Sequence, residues 1–216
     1  MSTPDIKALI DKHLYDSALI KPLEEHVAKQ IKDNTSDFMA NRHLLKLYKF
    51  HPGAVKADVA GQILLKAVMQ LPSSDFISCV YLLPSDLHSQ EPISTILHLA
   101  SLLESFEMEK FWKTAQEQKG YPDLLKLPGF VEAIERFVVR VFGCTFCDVS
   151  VSSLEPLLKN GKSDVERLAK RYGWDIKDGI VVVSKRTKES TGEDVEGVGS
   201  AKITLQQVGK VLPLLQ

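Results

Sequence analysis

Cys144-Thr-Phe-Cys147 is the first place in this chain where residue types and spacing could do chemistry. A dithiol at that spacing can form a disulfide or bind a soft metal if its surroundings favour the thiolate or supply further ligands. A redox CxxC sits between a strand and a helix N-terminus, where backbone N–H groups lower the thiol pKa. This one follows an apolar run with helical periodicity, Phe130, Ile134, Phe137, Val138 and Val141. Zinc would need a second ligand pair, but Cys79 stands alone and no histidine lies beyond His98. Buried structural cysteines are therefore the expectation.

Gly161-Lys162-Ser163 imitates the end of a phosphate-binding loop. The first glycine of such a loop would fall at Pro156, and the segment before it has helical rather than strand periodicity, so a turn and a helix cap are expected. His13, His26, His43, His51, His88 and His98 have no metal-ligand spacing; as single histidines they are expected at surfaces and helix ends. No G-x-S-x-G elbow or paired acidic motif is present. The residues predict neither an enzyme nor a cofactor.

Two further patterns point to binding. Between Ser163 and Tyr172, Val165, Leu168, Ala169 and Tyr172 form an apolar helical face and leave Arg167, Lys170 and Arg171 as a basic stripe. Lys185, Arg186 and Lys188 follow in a loop. Asp164 and Glu166, with Glu189, Glu193, Asp194 and Glu196, offset these cations, which argues against DNA reading and leaves a partner-facing surface, with weak RNA contact as the lesser reading. The second pattern is the C-terminal segment, where Leu205, Val208, Val211, Leu212 and Leu215 are apolar on more than one side of a helix. Packing on its own domain and binding a partner are both open to it.

The elements carrying these residues are mainly helical. The chain has 216 residues, 44% hydrophobic and 25% charged, with Lys+Arg 27 against Asp+Glu 28. That composition is globular, and the balance supplies no global field toward nucleic acid or membrane. No membrane-length apolar run or export signal is apparent, so a cytosolic protein with reduced thiols is expected. Apolar periodicity predicts about seven helices in the first 120 residues. The central pair is best defined: Phe38, Leu44, Leu45 and Tyr48 oppose Asn41, Arg42, Lys46 and Lys49, and after His51-Pro52-Gly53 a second apolar face runs from Val55 to Leu71. Ser36 and Asp37 can cap the first of these, and Ser74-Asp75 a later helix. Antiparallel pairs of this kind must stack to hide their faces, a HEAT- or TPR-like right-handed arrangement without a named repeat signature.

Pro122 and Leu127-Pro128-Gly129 place a domain boundary at 127/128. Beyond it, helices are expected over Phe130 to Val141, Val149 to Lys159 and Ser163 to Tyr172, the last with Ser163 and Glu166 in capping-box register. A strand over Gly179 to Ser184, a Gly/Glu-rich loop and a return strand over Ala201 to Ile203 would complete a winged helix with a small β-hairpin. The expected organisation is a helical-repeat domain over 1–127 and a winged-helix domain over 128–216.

The segments ANRHLLKLYKFHP, GQILLKAVMQLPSSDF, PISTILHLASLLESFEMEKFW and KRYGW (Lys170 to Trp174) occur in an order that resembles the PCI-type scaffold subunits, and among them the subunit k family of eukaryotic translation initiation factor 3. The resemblance implies a non-catalytic scaffold in translation initiation, with subunit l as nearest neighbour, subunit e as another, and the small ribosomal subunit reached through the complex. It implies a cytoplasmic protein with a nuclear pool, and no DNA or membrane partner. A small PCI subunit of the signalosome or proteasome lid is the alternative within the class. An RNA-binding winged-helix module and a CxxC redox protein are the alternatives outside it.

Overall fold

The computed structural model describes residues 3–12, 15–117 and 127–183, all within one compact unit. Seven helices lie in the first part: α1 (Thr3–Lys12), α2 (Ile20–Asp33), α3 (Phe38–Phe50), α4 (Ala57–Val68), α5 (Asp75–Leu82), α6 (Ile93–Glu104) and α7 (Met108–Glu117). Each end is set locally. Asp37 Oδ1 accepts the Ala40 N–H at 3.1 Å and caps α3; α2 ends at Asn34 in the left-handed region. Before α5 it is Ser73 Oγ, and not Ser74, that accepts the Asp75 N–H. Leu44, Leu45, Leu47 and Tyr48 of α3 and Ile63 and Leu64 of α4 are completely or almost completely buried, so the central pair is the heart of the core.

The second part contains α8 (Phe130–Thr145), β1 (Asp148–Ser150), α9 (Val151–Leu154), α10 (Lys162–Tyr172), β2 (Asp175–Lys177) and β3 (Ile180–Val182). This helix–strand–helix–helix–hairpin order is that of a winged helix, so the chain is mainly α, with stacked helices followed by a winged helix and a small antiparallel sheet. Three expectations need correction. Val149 to Lys159 is not one helix: Val149 is in β1 opposite Val181, α9 is a single turn, and Pro156 sits in a short 3-10 turn over Glu155–Leu157. The hairpin closes through Asp178 and Gly179, both at positive φ as a two-residue type I′ turn requires. The partners of β3 are therefore β1 and β2, in the order β1-β3-β2, whereas the sequence placed its partner at Ala201–Ile203, which lie outside the described residues. The capping box also fails. The Ser163 hydroxyl donates to Asn160 O, and the Asp164 carboxylate accepts the Asn160 N–H at 3.0 Å.

The two parts share one hydrophobic cluster from Ile6 to Val181. Phe111 of α7 stacks on Phe130 of α8 at 6.3 Å, and the Trp112 indole N–H donates to Leu157 O at 3.0 Å. Gly129 holds φ +76 against Asn34, where a Cβ would lie 2.2 Å from Nδ2, so only glycine fits this approach. No helix among the described residues is long and apolar enough to cross a membrane.

Candidate partner-binding site

The chemical candidates of the sequence are separated from any site. Cys144 and Cys147 are free and exposed rather than buried, because the last turn of α8 projects past Phe142, its final core residue. Cys79 is the buried thiol. Burial and the Asp75 charge push its pKa up to about 12 against the opposing effect of Arg42, so it is inert. Gly161-Lys162-Ser163 is the turn into α10, preceded by a 3-10 turn instead of a strand. His43 departs from expectation: it is buried within α3. Among the described residues no three His, Cys, Asp or Glu side chains gather where a metal could be held.

The basic stripe on α10 is divided. Val165, Leu168 and Ala169 are buried as expected, which turns Lys170 and Arg171 outward. The Arg167 guanidinium instead donates to Glu135 Oε1 at 2.5 Å and Asp164 Oδ1 at 2.9 Å. Both carboxylates are buried, at 3% and 5% side-chain exposure, so this charge already has its match inside the molecule. Burial alone would push the Asp164 pKa up. The Arg167 hydrogen bond, the Asn160 N–H and the Arg167 charge together outweigh it and hold the carboxyl below its ordinary value, while the two carboxylates raise that of Arg167. Arg171 lies 5.8 Å from the Tyr172 ring, which in turn neighbours Trp174 at 6.1 Å. Lys185, Arg186, Lys188 and the helix of Leu205, Val208, Val211, Leu212 and Leu215 lie outside the described residues.

The sheet supplies a surface that sequence reasoning did not single out. Val181 is buried, while Ile180 and Val182 project from the other face and are 44% and 40% exposed. Register places Asp148 and Asp175 on either side of Val182, and Ser150 and Lys177 on either side of Ile180. β1 and β2 each keep an outer edge with no strand paired to it among the described residues. An apolar centre, a polar rim and open backbone edges suit docking of another polypeptide. The signal for it was Asp178-Gly179 between Asp175-Ile176-Lys177 and the β-branched run Ile180 to Val183. Read as one apolar stretch, Ile180 to Val183 concealed its alternation.

This arrangement of stacked helices with a winged helix that exposes its sheet defines a scaffold module. The chain belongs to the CSN8/PSMD8/EIF3K family, whose model matches residues 54–194. Its relatives include eukaryotic translation initiation factor 3 subunit K of Bombyx mori, 32% identical over 93% of this chain and 90% of the relative. The subunit K of Anopheles gambiae is 34% identical over 79% of this chain and 76% of its own. That of Dictyostelium discoideum is 29% identical over 92% and 78%.

Proposed function

We infer that this chain is a non-catalytic scaffold subunit of the eukaryotic translation initiation factor 3 complex, acting in translation initiation through protein contacts. The observation that carries the reading is the match along nearly the whole chain to relatives that share one name and extend from insects to Dictyostelium. Membership of a family of complex subunits supports it, as does the exposed sheet, a surface for association rather than reaction. Subunit l is the proposed nearest neighbour and subunit e a second. The small ribosomal subunit is reached through the complex in the cytoplasm, with a nuclear pool. The proposed domains are 1–127 and 128–216. Lys170 and Arg171, with Lys185 and Arg186, form one proposed contact surface, with Arg167 as its structural anchor. The helix of Leu205, Val208, Val211, Leu212 and Leu215 forms another.

The test is affinity purification of the tagged chain from its own cells, with and without nuclease, and mass identification of what remains bound. Initiation factor 3 subunits in near-equal amounts are expected, and Leu212→Asp with Leu215→Asp should reduce their recovery. Signalosome or lid subunits in their place overturn the reading. Loss of all partners on nuclease treatment overturns it in favour of an RNA-binding module.

A further inference from the structure

Helix α3 has a second face that the core does not use. At 100° per residue, Met39, Arg42, Lys46, Lys49 and Phe50 fall within an arc of about 100° on the side away from Leu44 and Tyr48. Met39 and Phe50, at the two ends, are 61% and 60% exposed, and Lys46 and Lys49 between them are exposed as well. Arg42 is half-buried, its guanidinium 5.5 Å from the Phe38 ring and 3.6 Å from Met39 Sδ. Helix α3 contains no Asp or Glu. Asp75, beside Cys79, and Asp86, which lines a groove with Lys49, are the carboxylates of the adjoining segment. Among the described residues no carboxylate forms an ion pair with Arg42, Lys46 or Lys49, three cations adjacent on one helix face.

The surroundings are amphipathic. Helix α5 packs along α3, with the Arg42 charge felt at Cys79 and Lys49 sharing its groove with Leu83 and Pro84. Ile77 and Tyr81, on the outward side of α5, are 44% and 77% exposed. Beyond Lys49 the groove is open, with Pro52, Val55, Leu83 and Leu87 on its apolar part and Ser85, Asp86 and Gln90 on its polar part. The positions 39, 42, 46 and 49 alternate steps of three and four, the spacing at which one helix lies along another.

We propose that this seam docks an acidic amphipathic helix of another polypeptide. Its Asp or Glu side chains, at the same three-four spacing, meet Arg42, Lys46 and Lys49, and its apolar side chains meet Met39, Phe50 and the groove. Charge complementarity selects an acidic occupant. Phe50 and Tyr81 are rings on which a base could stack, but the row of cations follows a single helix at three-four spacing and is flanked by exposed Met39 and Ile77, which favours an amphipathic polypeptide helix over RNA. The surface lies on the helical layer and does not depend on the winged-helix contacts proposed above.

The test is carbodiimide coupling of the assembly purified from the protein's own cells. The reagent takes up water as it joins a lysine amine to a touching carboxylate through an amide. Lys46 or Lys49 should become linked to an Asp or Glu of a helical segment in another chain, and both amines should be acylated more slowly than in the free chain. Lys46→Glu with Lys49→Glu should lower recovery of the linked chain about tenfold without changing the melt. Lysine in place of the linked carboxylates should restore it. Equal acylation in the assembly and the free chain overturns the proposal, and protection removed by nuclease overturns it in favour of RNA. Initiation factor subunits recovered with fully reactive amines would remove the seam alone. A chain recovered without other polypeptides would remove both the seam and the assembly reading.

Discussion

Between α2 and α3 the buried polar contact is neutral. Gln30 and Asn41, 2% and 3% exposed, exchange amide hydrogen bonds of 2.9 and 3.1 Å, and Gln30 also accepts the Asp37 N–H. Between α8 and α10 it is ionic: Arg167 bridges Glu135 and Asp164. The helical layer has a large aliphatic core, Leu44, Leu45, Leu47, Ile63 and Leu64; its most deeply buried seam contact is the amide pair, and its carboxylates lie nearer solvent, Glu24 accepting from the Tyr48 hydroxyl at 2.8 Å and pairing with the exposed Lys56. The winged helix closes α10 and the sheet over the buried face of α8, with Val165, Leu168, Leu154 and Val181 meeting Ile134, Val138 and Phe142 in the shared cluster, and fixes α10 with a charge network. The two halves therefore respond to different perturbations. Acid reaches the winged helix, while the helical layer has Lys66 as its exceptional buried charge.

The largest expected effect breaks the winged helix. Leu168→Asp puts an unpaired carboxylate at a site 2% exposed and should remove roughly 3–5 kcal/mol. Hydrogen exchange should show protection lost over 148–183 before it is lost over α3 to α6. Simultaneous loss would show that the shared cluster makes one cooperative unit and would end the comparison.

Arg167→Ala leaves two buried carboxylates without their cation. Because the Arg167 side chain is itself 46% exposed, solvent screens the pair and the loss should be about 2 kcal/mol, below that of a fully buried bridge. The Asp164 pKa is depressed in the folded chain. Its stabilising contribution is present above the ordinary value of 3.8 and disappears as pH falls through the lower folded value. Without Arg167 only the Asn160 hydrogen bonds oppose the effect of burial and the depression shrinks, so acid unfolding followed by Trp174 fluorescence should move to higher pH. An unchanged acid midpoint would show that the network does not govern acid stability.

Trp112→Phe removes the indole donor to Leu157 O and part of a buried ring, and should lower stability by about 1–1.5 kcal/mol. Exchange should rise around Glu155–Leu157 more than in α3. The reverse pattern would mean that this contact does not tie the winged helix to α7.

Lys66→Met is the smallest change and should stabilise. Lys66 is 3% exposed and hydrogen-bonds Asn34 Oδ1 at 3.0 Å, with burial lowering its pKa. The unfolded chain holds this proton more firmly than the folded one. Stability therefore rises with pH between the lowered value and the ordinary 10.5, and the gain of about 0.5–1 kcal/mol at neutral pH should shrink across that window. Thermal melts of both proteins from pH 7 to 10.5 check the sign.

The central helices were legible because Phe38, Leu44, Leu45 and Tyr48 recur at helical spacing over nearly three turns, and Asp37 and Gly173 mark ends by local chemistry that no distant contact overrides. β1 was not legible. Asp148–Ser150 is a three-residue strand whose partner, Ile180–Val182, lies about thirty residues away, and nothing local distinguishes it from the start of a helix. The basic stripe was legible as a set of residue types, but Arg167 could not be separated from Lys170 and Arg171 until Glu135 of another helix was seen beside it.

The sequence by itself determined the helical class, most helix ends, the core faces and the family resemblance, because each depends on periodicity, capping or residue order along the chain. Tertiary structure decided which strand pairs with β3, that Cys144 and Cys147 face solvent, that Arg167 is matched internally, and that no carboxylate among the described residues pairs with the α3 cations. Those outcomes depend on which distant element arrives beside each residue, and a side chain's charge or polarity is satisfied by neighbours in space rather than in sequence.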